Sequence, residues 1–286
     1  MSNNTPRFAF FGTPEFATIV LDELESHGFT PAVIVTAPDA PKGRKLLLTP
    51  SEVRVWAEKR NIPVLTPNTL RDEAFSQSIV PHNCNLFIVT AYGKIIPKDV
   101  LSIPKFGTLN VHPSLLPKFR GSSPVESAII SKESGTGVSI MLLDEEMDHG
   151  PILAQRNYET TTWPPRGSEL TVSLAHLGGK LLAESIPLWL NSQSATKQNH
   201  ELATFTKKIS KSDGLINLSG DPVENYKKIR AYDKWPGAYF FVERKGKNIR
   251  VRIDDAIIEN ESLTIISVTP EGKSTMHYED FLRGTN

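Results

Sequence analysis

The sequence holds a single cysteine, Cys84, among 286 residues. One thiol excludes an intrachain disulfide and any thiolate metal cluster. Cys84 stands just before the apolar run Leu86-Phe87-Ile88-Val89, where a small buried residue is the expected role. Long apolar runs are also missing, and none approaches the ~18 residues of a membrane span. The first residues carry no basic stretch leading into an apolar core, and a strand begins by Phe8. These absences predict a cytoplasmic protein with no membrane contact. Net charge is lacking too: Lys+Arg and Asp+Glu both total 32, so overall charge names no partner. Gly12-Thr13-Pro14 ends a short apolar run but lacks Gly-x-Gly-x-x-Gly, and no acidic residue is placed to read a ribose. That argues against a nicotinamide dehydrogenase.

What is present suits a globular chain, with 39% hydrophobic and 22% charged residues and length for one large or two ordinary domains. Phe8-Ala9-Phe10-Phe11 reads as a strand that turns into a helix, with Thr13 as N-cap, Pro14 in the first turn and Glu15 at its positive end. Phe16, Ile19, Val20 and Leu24 recur at helical spacing. Further strands are expected at Ala32 to Thr36, Pro63 to Leu65, Leu86 to Thr90, Thr108 to His112 and Ser139 to Leu143. Helices are expected from Ser51 to Arg60 and from about Glu169 to Leu190. Strands that alternate with helices and lack period-2 polarity predict an α/β domain with a Rossmann-like, mostly parallel sheet covered on both faces. The polar stretch Asn191 to His200 reads as a linker. Beyond it, a helix from Pro222 to Tyr232 precedes short alternating strands at Gly237 to Val242, Asn248 to Ile253 and Ser262 to Val268. That pattern predicts a small β-barrel, OB-like as a first expectation. The organisation expected is therefore 1–190, a linker over 191–206, and a C-terminal domain over 207–286.

Charge is distributed unevenly within this neutral chain. Residues 207–252 carry 12 Lys+Arg against 5 Asp+Glu, a surplus of 7. Such a patch is either a polyanion contact or a solvated charged face.

The stretch richest in chemistry is Asn110-Val111-His112-Pro113-Ser114-Leu115-Leu116-Pro117, answered by Asp148 in Asp144-Glu145-Glu146-Met147-Asp148-His149-Gly150. Asn110 and His112 alternate along a strand end, so their side chains share a face. In open α/β sheets that end is where ligands bind. A carboxamide can donate to an oxyanion, an imidazole can donate or shuttle a proton, and a carboxylate can orient the imidazole. No Ser, Cys or Lys is spaced as an obvious nucleophile, which points to direct transfer without a covalent intermediate. Each residue taken singly also fits a bland role: a turn-capping Asn, a satisfied core His, a turn-forming Asp. His149 has no second His or Cys at ligand spacing, so no metal site is expected. Arg120 reads equally as a positioning residue or an exposed loop base.

This run and the distant Asp resemble the signature of the folate-dependent formyltransferases. The resemblance implies that Asn110, His112 and Asp148 are catalytic. It implies that Ser114, Leu115, Leu116 and Pro117, with Tyr92 and Gly93 of Ala91-Tyr92-Gly93-Lys94, line a folate site. The donor implied is 10-formyltetrahydrofolate. Other segments resemble the tRNA-acting branch of that family: Phe11 to Ala17, the loop from Pro38-Asp39 to Gly43-Arg44, Gly135 to Met141, Lys208-Ile209-Ser210-Lys211, and Ile229 to Ala238. This branch implies an initiator methionyl-tRNA as acceptor, a monomer, and a C-terminal domain that binds tRNA. Arg44 and Lys45 are then expected at the acceptor stem, with Lys207, Lys208, Lys211 and Arg230 on the phosphate backbone. The chain departs from the pattern at Pro113, at His149, in a loop 42–47 with few basic residues, and in a C-terminal barrel shortened between Asp255 and Ser267. The nearest rival is a formyltransferase acting on a nucleotide-linked amino sugar. A hydrolase releasing formate and a non-catalytic RNA-binding protein complete the alternatives.

Overall fold

Residues 6–43, 46–244 and 246–284 are described by a computed structural model. Arg44 and Lys45, expected at the acceptor stem, lie outside the described residues. In chain order the first elements are β1 (Phe8–Gly12), α1 (Glu15–Ser26), β2 (Val33–Val35), β3 (Ala40–Lys42), β4 (Leu47–Thr49), α2 (Glu52–Glu58) and β5 (Val64–Leu65). Next come α3 (Glu73–Ile79), β6 (Leu86–Thr90), α4 (Lys98–Leu101), β7 (Thr108–His112), α5 (Pro124–Ile130), β8 (Gly137–Leu142), β9 (Ile152–Asn157) and α6 (Gly167–Ser192). The remainder are α7 (Pro222–Ala231), β10 (Tyr239–Arg244), β11 (Lys247–Glu259), β12 (Ser262–Pro270), β13 (Met276–His277) and α8 (Tyr278–Arg283).

By contacts the chain divides into two compact units, and neither is one continuous stretch. The first joins 1–120, 136–158 and 172–205; the second joins 121–135, 159–171 and 206–286. Two segments inside the expected 1–190 thus group with the C-terminal residues. The physical reason is visible at α5, whose apolar residues Val125, Ala128 and Ile129 are buried and which packs against α7.

The first unit is built on a seven-stranded sheet ordered β5-β2-β1-β6-β7-β8-β9. The five strands from β5 to β7 are parallel; β8 runs antiparallel to β7, and β9 antiparallel to β8. Every residue of β1, β6 and β7 is buried, as strands covered on both faces require. One face carries Ala9, Phe11, Phe87 and Val89, packed with Phe75 and Ile79 of α3 and Val100 of α4. On the opposite face, Gly178 and Gly179 let α6 approach closely: a Cβ on Gly178 would sit 2.6 Å from Val111, and one on Gly179 2.5 Å from Glu23 of α1. Asn110 pairs with Val89 in register, so Asn110 and His112 point away from α6.

Three expectations change in detail. Pro14, with extended backbone, is the N-cap of α1, so Thr13 stands one residue too early to cap it, and Ala17 N donates to Pro14 O at 2.9 Å. Ser51 is itself the N-cap of α2, its hydroxyl accepting from Arg54 N at 3.0 Å. The strand over 152–157, not foreseen, extends the sheet edge as β9.

In the second unit, β10 to β13 form an antiparallel sheet in sequence order. Its core gathers Phe240, Val251, Ile253, Ala256, Val268 and Phe281. β11 runs six residues beyond the expected strand end, continuing to Glu259 past an irregularity near Asp255. Asn260 and Glu261, both at positive φ, then close it tightly onto β12.

Candidate active site

The site assembles where β6 and β7 end. Asn110 and His112, 9% and 4% exposed, lie on one face of β7. Their strand continues into Ser114-Leu115-Leu116-Pro117, a loop held rigidly by a small polar scaffold. Ser139 Oγ, fully buried opposite His112 in register, donates to Ser114 O at 2.7 Å and accepts from Leu116 N at 3.0 Å. Gln155 Nε2 adds bonds to Leu116 O at 2.9 Å and Ser139 Oγ at 2.8 Å. Ser114 turns its own hydroxyl to Lys118 O at 2.6 Å.

Asp148 arrives by a longer route. Leu142 at the end of β8 lies opposite Leu109, three residues before His112. Residues 143–151 must therefore double back along β7 to bring the Asp148 carboxylate toward the imidazole. The Asp148 Oδ1–His112 Nδ1 separation is 3.6 Å, an ion-pair distance longer than a hydrogen bond. His112 Nε2 lies 3.0 Å from the carbonyl of Phe119, an acceptor only, so this nitrogen carries a hydrogen. Both ring nitrogens thus face oxygen acceptors. Two non-glycine residues here hold left-handed backbone, Asp148 at φ +50° and Phe119 at φ +61°, and a third, Ala91 at φ +50°, precedes Tyr92. Such conformations cost of order 1–3 kcal/mol each and persist only where surrounding contacts enforce them. Gly150 lets this turn pack closely on the end of β8, since a Cβ there would lie 1.9 Å from Leu142 O.

Tyr92 is 5% exposed and packs edge-on against Phe11 with ring centroids 5.6 Å apart. Its hydroxyl is buried without a hydrogen-bond partner among the described residues, and burial pushes it up to about 12. Gly93 next to it is exposed, and a Cβ there would meet nothing within 4 Å. Lys94 anchors this loop by donating to the carbonyls of Pro67 at 2.5 Å and Asn68 at 2.9 Å. Cys84 is half-buried and its thiol is raised to about 11 by burial, which suits a packing residue. Among the described residues, no three His, Cys, Asp or Glu side chains gather as a metal ion would need.

The structure also recruits residues that sequence patterning left without a role. Arg120 is 3% exposed and gives its guanidinium to Gln198 and to His200 Nδ1, the latter at 2.8 Å. His200 stacks on His149, with centroids 4.0 Å apart and planes 6° off parallel. His149 Nδ1 in turn meets Asp144 Oδ2 at 2.7 Å. The segment 191–206 therefore does more than connect. Thr204 accepts from the backbone N–H groups of Phe119 and Arg120, and Thr196 exchanges both backbone bonds with Ile152. Its polar composition, which reads as a solvated spacer, supplies hydrogen-bond partners instead.

Of the basic residues of the second unit, Lys208 and Lys211 are exposed. Lys207, also exposed, is ion-paired with Asp213 at 2.5 Å. That pairing, with bonds from Ser210, holds the Asp213 carboxyl down at about 2. Arg230 is turned inward: its Nε donates to Pro164 O at 3.2 Å, and its side chain is 19% exposed.

On this α/β sheet Asn110 and His112 share one strand face, and the Asp148 loop folds back toward His112. Comparison with known proteins gives the class, and the chain belongs to the formyl transferase family. The formyl transferase description matches residues 6–186, and the description for the formyl transferase C-terminal domain matches residues 208–262. Among similar relatives are two methionyl-tRNA formyltransferases. That of Chloroflexus aurantiacus is 42% identical over 248 residues, covering 86% of this chain and 78% of the relative. That of Myxococcus xanthus is 36% identical over 301 residues, covering 98% and 95%. A solved methionyl-tRNA formyltransferase from Clostridium thermocellum matches with TM-score 0.62 at 17% identity, covering 95% of this chain and 99% of that one. A 4-N formyltransferase from Francisella tularensis matches with TM-score 0.66 at 18% identity, covering 90% and 100%. At such identities the two solved structures speak for the fold alone.

Proposed function

We propose that this protein transfers the formyl group of 10-formyltetrahydrofolate to the free α-amine of methionyl-initiator tRNA. The observation that carries this is the Asp148 carboxylate 3.6 Å from His112, with Asn110 two residues earlier on the same strand face. Relatives 36–42% identical, all bearing the methionyl-tRNA name, favour this acceptor over an amino sugar.

The folate supplies an activated one-carbon acyl group on N10. The backbone of Ser114, Leu115, Leu116 and Pro117 would hold it, immobilised by Ser139 and Gln155. The open side of Gly93 leaves room for a flat heterocycle. When the α-amine adds to the formyl carbon, the carbonyl oxygen gains negative charge. Asn110 donates to it, and His112 does so by turning its Nε2–H from the Phe119 carbonyl to the oxyanion; a donor aimed at developing charge contributes about 3–4 kcal/mol. Asp148 holds the imidazole's orientation and accepts, directly or through water, the proton that the amine sheds. Its contact with His112 is long here, as such contacts are before substrate binding tightens them.

The second unit is read as a shortened OB-like tRNA-binding domain over 207–286. Lys208 and Lys211 are the assigned phosphate contacts; Lys207 contributes less because Asp213 already pairs it, and Arg230 less because it is turned inward. Arg44 and Lys45 retain the acceptor-stem assignment that the family resemblance implies. A monomer acting in the cytoplasm, without a metal, completes the reading. Incubation with 10-formyltetrahydrofolate and either charged initiator tRNA or aminated sugar nucleotides tests it. Formylated methionyl-tRNA is the expected product; a formylated sugar nucleotide alone overturns the assignment.

A further inference from the structure

Gln198 lies in the stretch whose polarity suggests a spacer, yet it is 6% exposed. Both ends of its carboxamide are engaged. Arg120 donates to Gln198 Oε1 from Nε at 3.2 Å and from Nη2 at 2.6 Å. Gln198 Nε2 donates to the carbonyl of Asp148 at 2.9 Å and to that of Gly150 at 2.7 Å. Chemistry alone settles which way the amide points. A guanidinium only donates and a backbone carbonyl only accepts, so oxygen must face Arg120 and nitrogen must face the turn. All four hydrogen-bonding positions of the side chain are then filled.

We propose that Gln198 is a positioning residue for Asp148, setting the reach of its carboxylate to His112 through the two carbonyls that bracket His149. The kinetic part of this inference rests on the formyl transfer proposed above; the geometric part does not. Asp148 sits in left-handed backbone on a loop that doubles back along β7, an arrangement with little local preference of its own. One NH2 group pins the peptide carbonyls of Asp148 and Gly150, so neither peptide can rotate without breaking a buried bond. Rotation of the first would swing the Asp148 side chain off the imidazole. Arg120 fixes the other end of the lever, itself buried and tied by its backbone N–H to Thr204 O at 2.9 Å. Two residues further on, His200 covers the same turn by stacking on His149. A contact 3.6 Å long is sensitive to shifts of this kind, because small displacements of a reacting group cost rate steeply.

Gln198→Glu tests the lever while sparing its anchor. The carboxylate still accepts from Arg120 but offers no donor to either carbonyl. Gln198→Met, of similar volume, removes both functions. Melting temperature, single-turnover formyl transfer, KM for the folate, and amide hydrogen exchange over 144–150 are the readouts. For Gln198→Glu the expected result is a near-unchanged melting temperature, a single-turnover rate lower by about 10- to 100-fold with KM nearly constant, and faster exchange confined to the Asp148 turn. Gln198→Met should show the same split of rate from KM. Wild-type rate and exchange in both variants overturn the inference, as does a rate loss that follows melting temperature with exchange raised throughout the chain. If the wild-type protein formylates no methionyl-tRNA, the proposed acceptor falls. Exchange at the turn then judges the lever by itself, with localised acceleration supporting it and no change overturning it.

Discussion

In the proposed transfer, Asp148 is the residue on which the chemistry turns. Its carboxylate faces His112 in the geometry described, and its backbone is held where an L-residue rarely rests. Asp148→Asn keeps the shape and most hydrogen bonding while removing the charge and the proton acceptor. Single-turnover formyl transfer should fall by about 10²- to 10⁴-fold with folate binding nearly intact. A normal single-turnover rate would remove Asp148 from the mechanism. At this scale the sequence spoke unevenly. That Asn110 and His112 share a face follows from the two-residue period of a strand and needs no tertiary information. Arg120 was undecided between a positioning role and an exposed loop base, and nothing local could settle it. Its burial comes from Gln198 and His200, about 80 residues away in the chain.

Among elements, α5 and α7 show how packing imposes an electrostatic cost. Glu126 of α5 is half-buried, and loss of hydration, followed by the charge of Asp233, raises its carboxyl above the ordinary value of 4.5. Tyr232, which follows α7, is pushed up to about 12 by burial and by Asp213 and Glu126. For Glu126 the sign is opposite to that of an ion-paired acid. The folded carboxyl holds its proton more tightly than the unfolded one, so no penalty exists below the ordinary value, and stability is lost as pH rises through the folded pKa. Glu126→Gln should therefore melt higher than wild type at neutral pH, with the difference closing as pH falls through the raised folded value toward 4.5. Melting curves across that range check this; equal melting temperatures at neutral pH would mean the carboxyl is not penalised. The strands β6 and β7 lie where apolar patterning puts them, at 86–90 and 108–112. β9 escaped notice because Ile-Leu-Ala-Gln-Arg-Asn is only half-buried at the sheet edge, and pairing with β8 rather than local pattern makes it a strand.

For the whole molecule, charge is the long-range variable. A neutral protein that binds a polyanion must do so through local patches, and each phosphate neutralised steepens the salt dependence of binding. Lys208→Ala and Lys211→Ala should each reduce the salt slope for tRNA by about one unit and weaken binding with little regard to sequence. Lys207→Ala should do less, because its ammonium is already paired with Asp213. Filter-binding isotherms across salt concentrations measure both. Equal slopes for all three variants and the wild type would place the tRNA elsewhere.

By itself the sequence determined the α/β class, the strands that end at the site, and the family, because these depend on short-range periodicity and on a dense local signature. Tertiary structure decided what distant segments do to one another. It grouped α5 and residues 159–171 with the C-terminal unit, and it folded the loop after β8 back upon β7. It also turned an apparent spacer into the support of the Asp148 loop. Hydrogen bonds between residues 50 to 80 positions apart leave no periodic trace, since a polar side chain looks the same in a sequence whether water or a buried carbonyl receives its proton.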